Sequence, residues 1–226
     1  MAPPEREQLV IGHTVLGRPI DAIRFTAPSY AKQHRPAAIV FGGIHGDEAA
    51  SVLQAERLAE ELIERPPGRA TWIIPCLNVD GVLAGTKNNA RDVDLNRHFA
   101  AKNWSPVTGK PGYFPGAAPE TEPEVRALVE LIASTGATRL IALHATYRCI
   151  NWDGTGRALA EEMAALAPGY PVEADLGYPT PGSFGAKYGL DLDLEVVTVE
   201  VPYLTPDEQA WTDTRAALRW CVDLPT

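Results

Sequence analysis

The sequence predicts an α/β fold with three layers: a mixed, mostly parallel central sheet with helices on both faces, built as one domain over residues 1–226. Three observations support this. Short runs rich in Ile, Val and Leu recur at Ala37–Phe41, Thr71–Ile74, Leu140–Leu143 and Val196–Val201, as expected of strands covered on both faces. Stretches with helical start signals lie between them. At 226 residues, 45% apolar and 22% charged, a single domain buries a full core without splitting.

In chain order, residues 9–15 and 20–26 alternate or run apolar around Gly17-Arg18. This predicts an opening hairpin with glycine at the first turn position, which adds antiparallel strands to the sheet. A helix over 48–64 follows the first buried strand, and Glu122-Pro123-Glu124 opens another over 122–135; an acidic first turn with proline near its start is a strong helix signal. A third helix is expected over 156–167, and a last one after Thr205-Pro206-Asp207-Glu208, where Thr205 and Glu208 have capping-box spacing. Proline and glycine are scattered as turn punctuation, with no repeat and no linker. In sheets of this kind ligands bind beyond the carboxyl ends of the strands.

A net charge of −9 disfavours nucleic acid and anionic membrane surfaces, which call for Lys/Arg-rich faces. The start, Met1 to Glu7, is polar and joins no basic cluster to a long apolar run. Cys76, Cys149 and Cys221 are an odd number without paired spacing, which suits reduced core thiols rather than disulfides or metal ligands. A cytoplasmic protein with neither nucleic-acid nor membrane partner is expected. No pattern betrays an oligomer interface, and a homodimer stays open.

The chemistry gathers at strand ends. GGIHGDEAAS directly follows Ala37–Phe41 and sets His45 and Glu48 in the turn from strand to helix. Zinc accepts imidazole nitrogen and carboxylate oxygen at about 2 Å, and a His-x-x-Glu turn can supply both. Alone the pair is weak evidence, because a helix N-terminus with an acidic first turn explains it equally well. Two further strands end in the same way: Leu140–Leu143 delivers His144, and Val197-Thr198-Val199 delivers Glu200. A catalytic zinc site needs three protein ligands, an open fourth position and a carboxylate base nearby. His45, Glu48 and His144 are therefore the expected ligands of one zinc ion, and Glu200 the expected base.

In NNARDVDLNRHF, residues 88–99, Arg97 is a candidate clamp for a substrate carboxylate, with Asn96 as an added amide donor. Pairing of Arg97 with Asp92 or Asp94 on a solvated loop is the competing structural explanation. Lys87 and Arg91 are both candidates to face an oxyanion as it develops; the residues alone do not choose between them.

In order and spacing, HGDE, DLNR, the strand-end histidine and the final strand-end glutamate resemble the zinc carboxypeptidase superfamily. Within it GGIHGDEAAS, NVDGVLAGTKNNARDVDLNRHF, TEPEVRAL, LHATYRCI and GYPTPGSFG are similar to segments of the murein tripeptide amidase subgroup, so that nearly the whole chain is covered. The resemblance implies zinc on His45, Glu48 and His144, a carboxylate grip by Asn96 and Arg97, and Glu200 as general base. It also implies a small peptide substrate cleaved between γ-D-glutamate and meso-diaminopimelate. Lys87 stands where an arginine is expected, and Arg91 where the subgroup has a small or uncharged residue. The resemblance offers Tyr178 as counterpart of the tyrosine beside the pocket in larger carboxypeptidases, with Ser183 and Phe184 as pocket lining; a Phe-Gly pair after a turn equally suits a helix start packed on the core.

Three other functions compete. A deacylase of N-acyl amino acids of the aspartoacylase or succinylglutamate desuccinylase type would keep the zinc and the clamp. A non-catalytic peptide-binding module would lack a base such as Glu200. A serine hydrolase would need a G-x-S-x-G elbow, which the chain does not contain.

Overall fold

A computed structural model describes residues 6–27, 36–107 and 110–223; the polar start through Glu5 lies outside them. Eight strands of the described residues form one sheet. They are β1 (Arg6–His13), β2 (Pro19–Phe25), β3 (Ala38–Phe41), β4 (Thr71–Ile74), β5 (Arg139–His144), β6 (Cys149–Gly154), β7 (Val172–Glu173) and β8 (Glu195–Glu200). Their spatial order is β1-β2-β4-β3-β5-β8-β6-β7. The four predicted apolar runs become the parallel centre, β4, β3, β5 and β8. On one side β2 pairs antiparallel with β4 and β1 with β2; on the other, β6 runs antiparallel to β8. The sheet is mixed, as the sequence predicts.

Helices cover both faces. Leu58 and Leu62 of α1 (Ala49–Glu64), Met163 of α4 (Arg157–Ala165) and Leu218 and Val222 of α5 (Asp207–Val222) pack on Val40, Ile141 and Val197. On the opposite face Val125, Leu128 and Leu131 of α3 (Pro123–Thr135) join Phe99 and Phe184 over Ile39, Phe41 and Leu140. Phe184 meets Phe41 and Phe99 edge-on at centroid distances of 4.8 and 5.4 Å, contacts worth about 0.5–1.5 kcal/mol each beyond area burial. They fix the segment around residue 184 against the sheet just below the carboxyl ends of the strands. A short helix, α2 (Val79–Ala84), follows β4 and is capped by Asn78, whose side chain accepts from the Gly81 N–H at 3.0 Å.

Two local expectations are corrected. Gly17 stands at the last position of its turn, its N–H donating to the Thr14 carbonyl at 2.9 Å with φ +79°, because the connection of residues 14–18 is longer than a two-residue hairpin loop. The capping box at Thr205 does not form: Pro206 is the N-cap of α5, Thr205 Oγ1 donates to the Pro202 carbonyl at 2.7 Å, and Glu208 is drawn to Arg57 on α1. All three cysteines are free, and burial pushes each thiol up to about 12. They are protonated core or near-core groups at neutral pH. No helix among the described residues is long and apolar enough to cross a membrane.

The turn after β3 is pressed onto α2. A Cβ built at Gly46 would lie 2.1 Å from the Gly81 carbonyl carbon, and the Gly46 N–H donates to the Lys87 carbonyl at 3.1 Å. Gly46→Ala should therefore cost about 1–3 kcal/mol, as overpacking does. The melting temperature should fall by roughly 2–4 °C per kcal/mol in a domain of this size. A calorimetric scan checks this, and an unchanged midpoint would refute the close approach.

Candidate metal centre

His45 lies in the turn between β3 and α1, Glu48 immediately precedes α1, and His144 and Glu200 are the last residues of β5 and β8. Parallel pairing of β5 with β8 sets His144 directly opposite Glu200. All four side chains are buried. Glu48 occupies the N-cap position yet makes no capping bond. Its carboxylate oxygens instead lie 2.8 Å from His45 Nδ1 and 2.9 Å from His144 Nδ1, and accept the Ala145 N–H at 3.0 Å and Thr146 Oγ1 at 3.2 Å. The simple helix-start explanation of His-x-x-Glu is thereby removed. One ligand atom each from His45, Glu48 and His144 lies within 4.8 Å of the other two.

Nitrogen and oxygen donors gathered this closely fit zinc, which accepts two imidazoles and a carboxylate and keeps a fourth position for water or substrate. The outer contacts fit as well. Asp94, fully buried, accepts from His45 Nε2 at 3.0 Å, which holds the second ring nitrogen as the donor and leaves Nδ1 to a metal. Asp94 also accepts the Asn96 N–H at 2.9 Å and forms a close ion pair with Lys87.

The charges reinforce this arrangement. Burial opposes the His45 imidazolium, but the adjoining Glu48 and Asp94 carboxylates outweigh it and raise the group to about 9. Burial also opposes ionisation of Glu48, yet His144 and His45 hold its carboxyl well below the usual range. Asp94 is likewise lowered against its burial, by His45, Lys87 and Arg97. Glu200 moves the other way: burial, with the negative Glu48 nearby, raises its carboxyl although His144 opposes the shift.

A cavity of about 740 Å³ opens over these groups, lined by His45, Glu48, His144 and Glu200 and by the sequence-predicted Lys87, Asn96, Arg97, Tyr178, Ser183 and Phe184. Asn96 Oδ1 accepts the Phe184 N–H at 2.9 Å, and its Nδ2 lies 3.5 Å from His144 Nε2. Arg97 is buried, donates to the Asn96 carbonyl at 2.7 Å and sits 5.3 Å from the Tyr113 ring centre. Among the described residues no carboxylate is within ion-pair distance of Arg97, so the proposed tether to Asp92 or Asp94 is not formed. Phe184 is mainly a core residue whose backbone orients Asn96, and Ser183 Oγ accepts the Ala186 N–H at 3.0 Å.

Arg91 is a correction. Its side chain is 56% exposed, reaches Glu122 at 3.4 Å and does not line the cavity. The backbone of residues 89–93 turns it outward, with Asn89 Oδ1 accepting the N–H groups of Arg91 and Val93 at 3.0 and 3.1 Å. Sequence reasoning also missed Asp94 as the partner of His45, although its position two residues before Asn96 was a usable signal. Tyr147, whose ring centre is 6.1 Å from that of Tyr178, and Asp153 on β6 complete the walls without having been expected.

This sheet, with its buried His-Glu-His group at the carboxyl edge, has the architecture of a metallohydrolase. Residues 2–162 match the family model described as zinc carboxypeptidase, and the chain belongs to that family. It is 33% identical to murein peptide amidase A of Escherichia coli strain K12 over 219 residues, which cover 91% of this chain and 85% of that protein. A second murein peptide amidase A, from Vibrio campbellii, is 29% identical over 87% of this chain and 79% of its own. The crystal structure of the murein-tripeptide amidase MpaA from Escherichia coli O157 superposes with a TM-score of 0.76 at 30% identity, covering 99% of this chain and 94% of that one. Carboxypeptidase A of Helicoverpa armigera shares the fold, with a TM-score of 0.79 at 18% identity over 96% of this chain and 67% of its own.

Asp94→Asn should keep the fold but weaken the hold on the His45 ring. Loss of such an outer partner costs roughly 10–100-fold in metal affinity. Competition titration against a zinc chelator measures it, and unchanged affinity would contradict the orienting role.

Proposed function

We propose that the chain is a zinc-dependent amidase that hydrolyses the γ-D-glutamyl–meso-diaminopimelate bond of murein tripeptide. It would release L-Ala-D-Glu and diaminopimelate during peptidoglycan recycling in the cytoplasm, as one catalytic domain over residues 1–226. The observation that carries this reading is the meeting of His45, Glu48 and His144 with Glu200 in a cavity that also holds Arg97 free of any carboxylate within ion-pair distance. Similarity to murein peptide amidase A along most of both chains supports the substrate.

His45, Glu48 and His144 would hold one zinc ion per chain, which when bound polarises the scissile carbonyl and acidifies water. Glu200 takes the proton of the attacking water and later returns it to the leaving amine. Its raised carboxyl suits this exchange, since a base works best when its pKa approaches the working pH. The N–H groups of Thr146 and Tyr147 donate to Glu200 Oε2 at 3.2 and 3.4 Å and keep the carboxylate aimed.

Arg97 and the Asn96 amide grip the free α-carboxylate of the leaving residue. Of the two basic residues considered for the developing oxyanion, Lys87 keeps that role, since it lines the cavity and Arg91 does not. Tyr178 and Ser183 border the bound peptide.

Glu200→Gln should retain zinc and lose turnover by on the order of 10²–10⁴-fold, the usual weight of general acid–base catalysis. Metal analysis alongside tripeptide hydrolysis checks both halves, and an active, metal-loaded variant would refute the assignment. Arg97→Ala should lower kcat/KM chiefly for substrates with a free terminal carboxylate. If an amidated analogue suffered the same loss, Arg97 would not be the clamp.

A further inference from the structure

A second cavity, of about 340 Å³, opens beside the first and falls within the size range of small-ligand pockets. The two share Arg97, Tyr113, Tyr147 and Tyr178 as a common wall. The second touches neither the metal ligands nor Glu200, and Val107 and Tyr147 on its border are 76% and 41% exposed. It is the outer vestibule of the site. Lys110 and Tyr113 line it and take no part in the metal centre or the carboxylate clamp.

Three cations gather on the Tyr113 ring. Lys87 Nζ lies 4.0 Å from the ring centre, Lys110 Nζ 4.7 Å and Arg97 Cζ 5.3 Å. Asp94 neutralises one of the three, Lys87. In a chain of net charge −9, such a concentration of positive charge around one half-buried ring makes a local field that draws anions. The ring is also held firmly in place. The Asp94 N–H donates to the Phe114 carbonyl at 2.8 Å, and Lys87 Nζ to the Gly112 carbonyl at 3.2 Å. Buried His98 pins the residues that follow: Nδ1 donates to the Pro115 carbonyl at 2.6 Å, and Nε2 accepts the Thr121 and Glu122 N–H groups at 2.8 and 2.9 Å. Tyr113 is thus fastened on both sides to the segment that carries Asp94 and Arg97.

Under the function proposed above, on which this rests, the leaving residue occupies the first cavity with its α-carboxylate on Arg97. The scissile carbonyl then lies beside Lys87, and the acyl portion leads outward past Lys87 to the face of Tyr113. In a γ-glutamyl amide the free α-carboxylate is separated from that carbonyl carbon by a chain of single bonds that spans about 5 Å when extended. A carboxylate at that distance meets the cations around Tyr113. We infer that the outer cavity is an acyl-side subsite in which Lys110, set over Tyr113, pairs with the free α-carboxylate of the γ-glutamyl residue. Lys110 is the specificity-determining residue and Tyr113 positions it. The enzyme therefore selects γ-glutamyl peptides whose α-carboxyl is free and discriminates against those in which it is an amide, since an amide brings no charge to the subsite.

The test compares L-Ala-γ-D-Glu-meso-diaminopimelate with its amidated counterpart, in which D-isoglutamine replaces D-glutamate, on the zinc-loaded full chain and its Lys110→Gln variant. The wild-type chain should prefer the carboxylate peptide by roughly fivefold in kcat/KM, the upper weight of a solvent-facing ion pair. That preference should fall as salt rises, because the pair stands near solvent. In Lys110→Gln it should all but vanish through loss on the carboxylate peptide, while turnover of the amidated peptide shows that the site still folds. Tyr113→Leu should shrink the preference as well, and Tyr113→Phe, which keeps the ring, should preserve it. A wild-type chain indifferent to amidation, or a preference that survives Lys110→Gln, would overturn the inference. If the wild-type chain cleaves neither peptide, the proposed amidase function fails and binding decides the subsite separately. Calorimetry should then show L-Ala-D-Glu binding the wild-type chain more tightly than L-Ala-D-isoglutamine, with no difference in Lys110→Gln; any other pattern overturns the subsite.

Discussion

The site depends on one carboxylate that does not do what its position suggests. Glu48 stands at the start of α1, where a side chain would ordinarily satisfy the first free amides of the helix. It turns away and draws His45 and His144 to its two oxygens, at 2.8 and 2.9 Å. These residues are 96 positions apart for the second contact, and only the adjacency of β3 and β5 brings them together. The parallel register of β5 and β8 then puts Glu200 beside them. A slip of one residue would send His144 or Glu200 to the opposite face of the sheet, into the aliphatic layer under α1, α4 and α5.

Burying so many ionisable groups is tolerable because nearly every one has a partner. Asp94 is the second organising element: one side chain orients His45, satisfies the Asn96 amide and neutralises Lys87. Removing one member of such a network exposes the desolvation cost of the others. Arg97 makes no ion pair of its own among the described residues, lines the same cavity and still helps to lower the Asp94 carboxyl.

Much of this was legible in the sequence, and the rest was not for identifiable reasons. The central strands declared themselves as unbroken aliphatic runs, and the ligands stood at their ends, so HGDE, His144 and Glu200 could be read as one set. The Asn96-Arg97 pair was visible for the same reason, as polar chemistry in a short ordered segment. β6 was hidden because CINWDG interrupts its apolar positions with Asn151 and Asp153, the two residues that turn toward the cavity. Arg91 was misplaced because sequence cannot say which way a loop side chain faces, and the bonds from Asn89 to the loop amides decide it. The helix at 79–84 escaped because at six residues it is too short to show a period.

The central claim is that one metal ion is held by two imidazoles and one carboxylate from three separate segments. Zinc-edge X-ray absorption on the full chain loaded with one equivalent of zinc addresses it directly. The account predicts a first shell of nitrogen and oxygen only, with Zn–N near 2.0–2.1 Å and Zn–O near 2.0–2.2 Å, and loss of one imidazole signal in His144→Ala. Sulfur scattering near 2.3 Å, or a spectrum unchanged by His144→Ala, would place the ion elsewhere and contradict it.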